Sequence, residues 1–249
     1  MLITGAGSGI GRGCALEFAK EGASIVSADI NVQSANATAE LIEKAGGNAV
    51  SLEVDVSNEA SVQSMMEYTI KKFGRLDTLV NNAAIQVNKT IETTTYEEWN
   101  RQLSVNIGGV FLCSKYFLPF LIQSKGSIIN ISSVNGFFAE PSCAGYCATK
   151  AAIVGFTKAM AIDHGRQGVR VNSISPGYID AGLAEGYFNS QPNPAQARAD
   201  AGQLHALGRI GTAAEIGMMA VFLASEAAAF ITGANMVVDG GFGSGLPPQ

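Results

Sequence analysis

The chain has 249 residues, 47% of them hydrophobic and 15% charged, enough for one well-buried α/β domain and short for two. A formal net charge of -5 with no Lys/Arg run excludes the electrostatic footprint of a nucleic-acid partner. The most apolar long stretch, Val105 to Ile122, is interrupted by Lys115 and Pro119, and Met1 leads straight into a strand with no basic leader, so a soluble cytoplasmic protein without membrane association is expected.

Short β-branched runs alternate with segments of helical period along the chain. "LIT" precedes "GRGCALEFAKEG", "ASIVSAD" precedes "SANATAELIEKAG", "AVSLEVDV" precedes "EASVQSMMEYTIKKFG", and "LDTLVNNAA" precedes the stretch from Thr95 to Gln123. There follow "GSIINISS", a helix carrying "GYCATKAAIVGFTKAMAIDHG", the run "VRVNSISPG", a polar segment from Ala181 to about Gly208, the helix "AAEIGMMAVFLAS" and a last strand "ANMVVDG". Seven strands alternating with helices predict a single Rossmann-type, doubly wound α/β domain over residues 1–249, its seven-stranded parallel sheet covered on both faces. In the first helix Ile10, Cys14 and Phe18 fall at four-residue spacing, as one sheet-packed face requires. The tail "GSGLPPQ" reads as a loose or tucked-down end with no assigned function.

Cys14, Cys113, Cys143 and Cys147 form no CxxC pair, and with only two distant histidines, His164 and His205, they offer no zinc-site spacing. No metal is expected, and the cysteines read as small packing residues of a reducing compartment rather than as a redox pair.

Between the first strand and first helix stands "TGAGSGIG", with Gly5, Gly9 and Gly11 at GxxxGxG spacing around Ser8 and Ile10. Residues without Cβ permit a tight turn and let a pyrophosphate approach the positive end of a helix. Asp29 ends the second strand, next to Ile30, twenty residues after Gly9. There a carboxylate can accept hydrogen bonds from both adenosine ribose hydroxyls. Asp29 would repel a 2′-phosphate and Ser8 supplies no compensating charge, so NAD is read over NADP.

Tyr146 and Lys150 stand four apart on a predicted helix and therefore on one face. An ammonium about 4 Å from a phenolate, at an effective dielectric of about 20, favours the phenolate by about 4 kcal/mol, which predicts a phenol brought from about 10 to near 7. A bare YxxxK is more often an ordinary surface pair; the surrounding residues decide otherwise.

Over essentially its whole length the chain resembles the short-chain dehydrogenase/reductase family, through "TGAGSGIG", "DV" at Asp55 and Val56, "NNAA" at Asn81 to Ala84, "VNIGG", "ISS" ending at Ser133, "YCATK", "SPGYID" and "VVDGGF". The resemblance implies reversible hydride transfer between a secondary alcohol and a ketone, with NAD as cofactor. It implies Tyr146 as general acid/base and Lys150 as the group that lowers its pKa and binds the nicotinamide ribose. Ser133 would hold the substrate oxygen, Asn106 would position a water joining Lys150 to solvent, and Ser132, on the other side of the strand, would be structural. It further implies Asp55 and Val56 beside adenine, Asn82 and Ala83 along the cofactor cleft, and Pro176, Gly177 and Ile179 beside the nicotinamide.

Three departures stand out: Ala84 where the family usually has Gly, Ala181 where it usually has Thr, and only three residues before Thr4, as if the numbering began inside the first strand. Loss of the hydroxyl at Ala181 would cost the carboxamide one hydrogen bond, about 1 kcal/mol. The alternative reading is a catalytically silent dinucleotide-binding regulatory protein on the same fold; it requires a damaged Tyr, Lys or Ser, and none is damaged. Candidate substrate contacts are Gln86, Asn135, Phe137, Cys143, Tyr178 and, on a lid over about residues 181–208, Tyr187, Phe188 and His205; they point to an uncharged, cyclic or polyol-like alcohol or ketone, and each could equally be lid packing. Apolar surface on the helix around Ala151 to Ala161, on Val105 to Ile122 and beside the last strand exceeds what one sheet face can cover, so a closed assembly is expected, and the resemblance to the family implies a homotetramer with two-fold axes.

Overall fold

The structure, a computed structural model, describes residues 1–245, and the last four residues of the "GSGLPPQ" tail lie outside the described residues. Strands β1 (Leu2–Thr4), β2 (Ser24–Asp29), β3 (Asn48–Glu53), β4 (Thr78–Asn81), β5 (Ser127–Ile131), β6 (Arg170–Pro176) and β7 (Asn235–Val238) form one parallel sheet in the order β3-β2-β1-β4-β5-β6-β7. Helices α1 (Gly9–Lys20), α2 (Val32–Lys44), α3 (Glu59–Phe73), α4 (Tyr96–Leu103), α5 (Gly109–Ser124), α6 (Ala144–His164), α7 (Gly182–Asn189), α8 (Pro194–Gln203) and α9 (Ala213–Ala224) connect them. This is the doubly wound architecture expected from the alternation of strand and helix patterns.

Successive residues of a strand face opposite sides, and both sides here are covered, so the central strands are apolar without alternation. Ile3, Ile25, Val80 and Ile129 face a core closed by Cys14 and Phe18 of α1, Ile42 of α2 and Ile216 and Leu223 of α9. Their neighbours Leu2, Val26, Leu79 and Ile128 face a second core closed by Val62 and Met65 of α3 and by Cys113, Phe117 and Leu121 of α5. Helices α1 and α9 approach closely because their contact is made by small residues: a Cβ on Gly13 would come within 2.6 Å of the Ala213 Cβ. Burial pushes the Cys14 and Cys113 thiols up to about 12, as befits packing residues.

Residues 96–124 run through α4, a π-helical turn at Ser104–Gly108 and α5, and the whole is long and apolar enough by composition to cross a membrane. Its inner face is instead spent on the second core. The turn places Asn106 inward, fully buried, as π-bulges often do at functional sites. The segment 181–208, read from the sequence as polar, holds the two short helices α7 and α8, the latter capped by Asn193 with Pro194 in its first turn.

Candidate active site

The strand order reverses between β1 and β4, and doubly wound sheets form their ligand crevice outside the carboxyl ends of the strands at such a point. A cavity of about 1060 Å³ opens there. It is lined by Gly5, Ser8, Gly9, Ile10, Asp29, Ile30, Asp55, Val56, Asn82 and Ala83 at one end, and by Gln86, Ser133, Asn135, Cys143, Tyr146, Lys150, Pro176, Gly177, Tyr178 and Ile179 at the other. Of the catalytic and cofactor-binding residues expected from the sequence, Gly11 and Asn106 do not line it.

The glycine loop is held by the protein itself. Gly5 has φ +64°, and a Cβ there would lie 2.8 Å from the Asn82 Nδ2. That amide donates to the carbonyls of Thr4 (3.0 Å) and Gly5 (3.1 Å), while the Thr4 hydroxyl accepts from the backbone of Asn82 (3.0 Å) and Ala83 (3.2 Å). Gly11 packs on the Gly5 carbonyl with no room for a side chain. Gly9, at φ +55°, meets the lid, since a Cβ would fall 2.9 Å from the Cα of Gly182 at the start of α7. The loop thus keeps a cradle of backbone at the N-terminus of α1 that any Cβ would fill.

Asp29 accepts hydrogen bonds from the backbone N–H of Gly7 (2.8 Å) and Asn31 (2.9 Å), which fixes its carboxylate at the end of β2 beside the loop. Arg12 donates to the Gly7 carbonyl and the Thr38 hydroxyl and does not line the cavity. Burial acts upward on the Asp55 carboxyl, but hydrogen bonds from Ser57 and the nearby Arg101 guanidinium outweigh it and hold the group below its ordinary value. Arg101, which also lines the cavity, was not expected from the sequence: it sits on α4, more than forty residues from Asp55.

At the other end, α6 begins at Ala144 just after Cys143, and Tyr146 and Lys150 occupy its buried face. The Lys150 Nζ lies 5.4 Å from the centre of the Tyr146 ring and donates to the Ile131 carbonyl (2.8 Å) at the end of β5. The expected lowering of the Tyr146 phenol to near 7 is corrected here. Burial pushes the phenol above its ordinary value, with the neighbouring Ser133 hydroxyl acting in the opposite direction. The same burial lowers Lys150 from 10.5 to about 7. The pairwise Coulomb argument treated both groups as if only each other mattered, whereas loss of water acts on both and disfavours both charged forms.

Ser132 donates to the Lys150 carbonyl (2.8 Å), a structural bond that ties β5 to α6. The Ser133 hydroxyl donates to the Asn135 Oδ1 (3.1 Å) and accepts from the Asn135 backbone N–H (3.1 Å). Asn106 donates to the Ile85 carbonyl (2.9 Å) and the Thr149 hydroxyl (3.1 Å) and accepts from the Ile85 N–H (2.9 Å), so its side chain joins the loop after β4 to α6. Gln86 donates to Asn88 (2.7 Å) and contacts the Cys143 sulfur (3.3 Å). Burial raises the Cys143 thiol, which disfavours its thiolate.

Of the remaining pocket candidates, Tyr187 lines the cavity, whereas Phe137, Phe188 and His205 do not. Phe188 is fully buried against Tyr178. His205, also buried, binds the Ala201 carbonyl through Nδ1 (2.8 Å) and accepts the Tyr178 N–H through Nε2 (3.2 Å), which makes it a staple between the lid and the loop after β6. Ala181 is the N-cap of α7 and provides no capping side chain. Glu140, absent from the sequence-based candidates, lines the cavity; it lies in an irregular loop where no periodicity marks it.

A glycine cradle at a helix N-terminus, an acid at the end of the next strand, and a buried Tyr–Lys–Ser group across one cavity define a Rossmann-type oxidoreductase. The family model described as enoyl-(acyl carrier protein) reductase matches residues 5–243. The chain belongs to the short-chain dehydrogenase/reductase family, whose dehydrogenases use nicotinamide dinucleotide cofactors. It is similar to the meso-2,3-butanediol dehydrogenase of Serratia marcescens, 40% identical over 97% of this chain and 93% of the relative. It is similar also to the cyclohexanol dehydrogenase of Acinetobacter sp. (strain SE19), 35% identical over 98% of this chain and 94% of the relative. The crystal structure of levodione reductase superposes with a TM-score of 0.93 at 32% identity, covering 98% of this chain and 96% of that one.

Proposed function

We propose that the protein interconverts a neutral secondary alcohol and its ketone with NAD, using Tyr146 as general acid/base. The observation that carries this reading is the meeting of Tyr146, Lys150 and Ser133 at one end of the cavity whose other end holds the glycine cradle and Asp29. The cradle fits a dinucleotide: Gly5 and Gly9 leave backbone exposed at the α1 N-terminus, and Asp29 stands where a ribose diol can donate to it. When bound, the nicotinamide supplies the carbon that accepts or releases hydride.

The chain's own residues manage position and the proton. Ser133 sits beside the Tyr146 phenol, so both can address one substrate oxygen. In the direction of ketone reduction Tyr146 donates the proton it holds in its buried setting. In alcohol oxidation it must accept one, and the Lys150 ammonium over the ring stabilises the phenolate that results. Lys150, near neutrality by burial, can gain and lose its own proton in the working pH range. Asp29 favours NAD over NADP because a 2′-phosphate beside a carboxylate is repelled.

Apolar surface left open at Phe230, Val237, Phe222, Met218 and Ile162 supports a homotetramer. The direct test mixes the protein with NAD or NADP and a panel of secondary alcohols while absorbance of the reduced nicotinamide is followed. Turnover with NAD that disappears in Tyr146→Phe supports the reading; turnover that survives the substitution, or a preference for NADP, overturns the corresponding part.

A further inference from the structure

Two of the polar side chains expected to meet the substrate, Asn135 and Tyr178, do not offer their donors to the cavity. The Asn135 Nδ2 donates to one carboxylate oxygen of Glu140 (3.0 Å), and the Tyr178 hydroxyl donates to the other (2.5 Å). A carboxylate accepts at about four lone-pair positions, so these two bonds orient Glu140 and leave acceptor capacity free on a half-buried group that lines the cavity. Among the described residues no lysine or arginine forms an ion pair with Glu140. The other acids of the cavity are Asp29 and Asp55, at the β2–β3 end, and Glu185, on the exposed face of the lid. Glu140 is therefore the fixed negative charge of the end that contains Tyr146. Because a carboxylate only accepts, it turns the Asn135 amide so that Oδ1 faces the Ser133 hydroxyl, linking the charge to the proposed catalytic serine through one side chain.

We propose that Glu140 is the specificity determinant of the pocket: it accepts a hydrogen bond from a second hydroxyl of the substrate, selecting diols and hydroxy ketones over simple alcohols, and it repels anionic substrates. The inference rests on the alcohol–ketone reading above. It also decides between the two similar dehydrogenases, one named for a diol and one for a monohydric alcohol, in favour of the first. A hydrogen bond to a charged acceptor in a partly desolvated site changes binding by about 10- to 100-fold, whereas a neutral acceptor gives less. Like charges facing each other in the cavity act against a hydroxy acid.

The test compares kcat/KM for butane-2,3-diol, butan-2-ol and 3-hydroxybutyrate with NAD and NADP, in the unaltered protein and in Glu140→Gln and Glu140→Ala. The unaltered protein favours the diol over butan-2-ol by about 10-fold or more. That ratio falls in Glu140→Gln and approaches one in Glu140→Ala, while the penalty on 3-hydroxybutyrate relative to butan-2-ol shrinks in both variants. A loss of activity on all three substrates by the same factor means that Glu140 only positions Asn135 and Ser133, and overturns the assignment. So does an unaltered protein that prefers butan-2-ol, although that result leaves the oxidoreductase reading standing. No turnover of any of the three with either cofactor by the unaltered protein overturns both.

Discussion

Lys150 is a nearly fully buried lysine whose amine is held at about 7 by loss of water, against an ordinary value of 10.5. At about 1.36 kcal/mol per pH unit, charging it inside the fold costs on the order of 5 kcal/mol more than charging it in the unfolded chain. The cost is present in full at and below pH 7, where the ammonium exists in both states. It declines as pH rises from about 7 towards 10.5, where only the unfolded chain still binds the proton, and it vanishes above that. Lys150→Met keeps the apolar stem and removes the charge, but it abandons the hydrogen bond to the Ile131 carbonyl, a loss of about 1–3 kcal/mol. The difference predicts a variant more stable than the parent by roughly 2–4 kcal/mol at pH 7 and less stable by about 1–3 kcal/mol near pH 10.5.

Urea unfolding of both proteins at matched concentration, at pH 7 and near pH 10.5, reads this difference, and titrating groups distant from Lys150 cancel between the two. The same variant should lose turnover and bind NAD more weakly, since the ammonium is assigned both to the phenolate and to the ribose. A variant destabilised equally at both pH values would refute the reasoning, because it would mean that Lys150 carries no buried-charge cost in the fold. A stabilised variant with unchanged turnover would leave the cost standing and remove the catalytic role.

Tyr146→Phe should abolish turnover while leaving NAD affinity, read by quenching of protein fluorescence, within a few-fold of the parent, because only the proton carrier is removed. Alcohol oxidation should speed up as pH rises, since burial holds the phenol above its ordinary value and oxidation needs the deprotonated form; a rate that falls steadily with pH would contradict the assignment. Asp29→Ala combined with Ser8→Arg should shift the ratio of kcat/KM towards NADP by about 10-fold or more, through removal of repulsion and gain of a guanidinium partner. Gly9→Ala should weaken NAD binding and destabilise the fold by about 1–3 kcal/mol in thermal unfolding, because it combines φ +55° with a methyl 2.9 Å from the Gly182 Cα. Light scattering at micromolar concentration should give about four times the 25.8 kDa chain mass, and a monomer would overturn the assembly.

What could be read from the sequence followed from short-range rules, and what could not came from partners distant in the chain. Leu2–Ile3, Ile25–Val26, Leu79–Val80 and Ile128–Ile129 announce strands buried on both faces, because adjacent apolar residues must point to opposite cores. The four-residue spacing of Tyr146 and Lys150 placed them on one buried helix face, yet the direction of the phenol's shift depends on how much water each group loses, which spacing does not encode. Gly9 was legible as a loop glycine, but one reason it must lack a side chain is Gly182, more than 170 residues later. Asn193–Pro194 carries a helix-start signal that the overall polarity of the segment concealed. His205 was a pocket candidate through its place on the lid, with lid packing the equal alternative, and it is a buried staple because both its ring nitrogens are occupied by backbone. Glu140 shows the limit most clearly. Nothing in the loop from Phe137 to Ser142 gives it a period or a motif, and its meaning arises only where Asn135, in the turn just before that loop, and Tyr178, in the loop after β6, direct their donors at a single carboxylate. Residues that face the cofactor share a pattern that local geometry imposes, whereas the residue that selects the substrate is defined by what the fold brings to it.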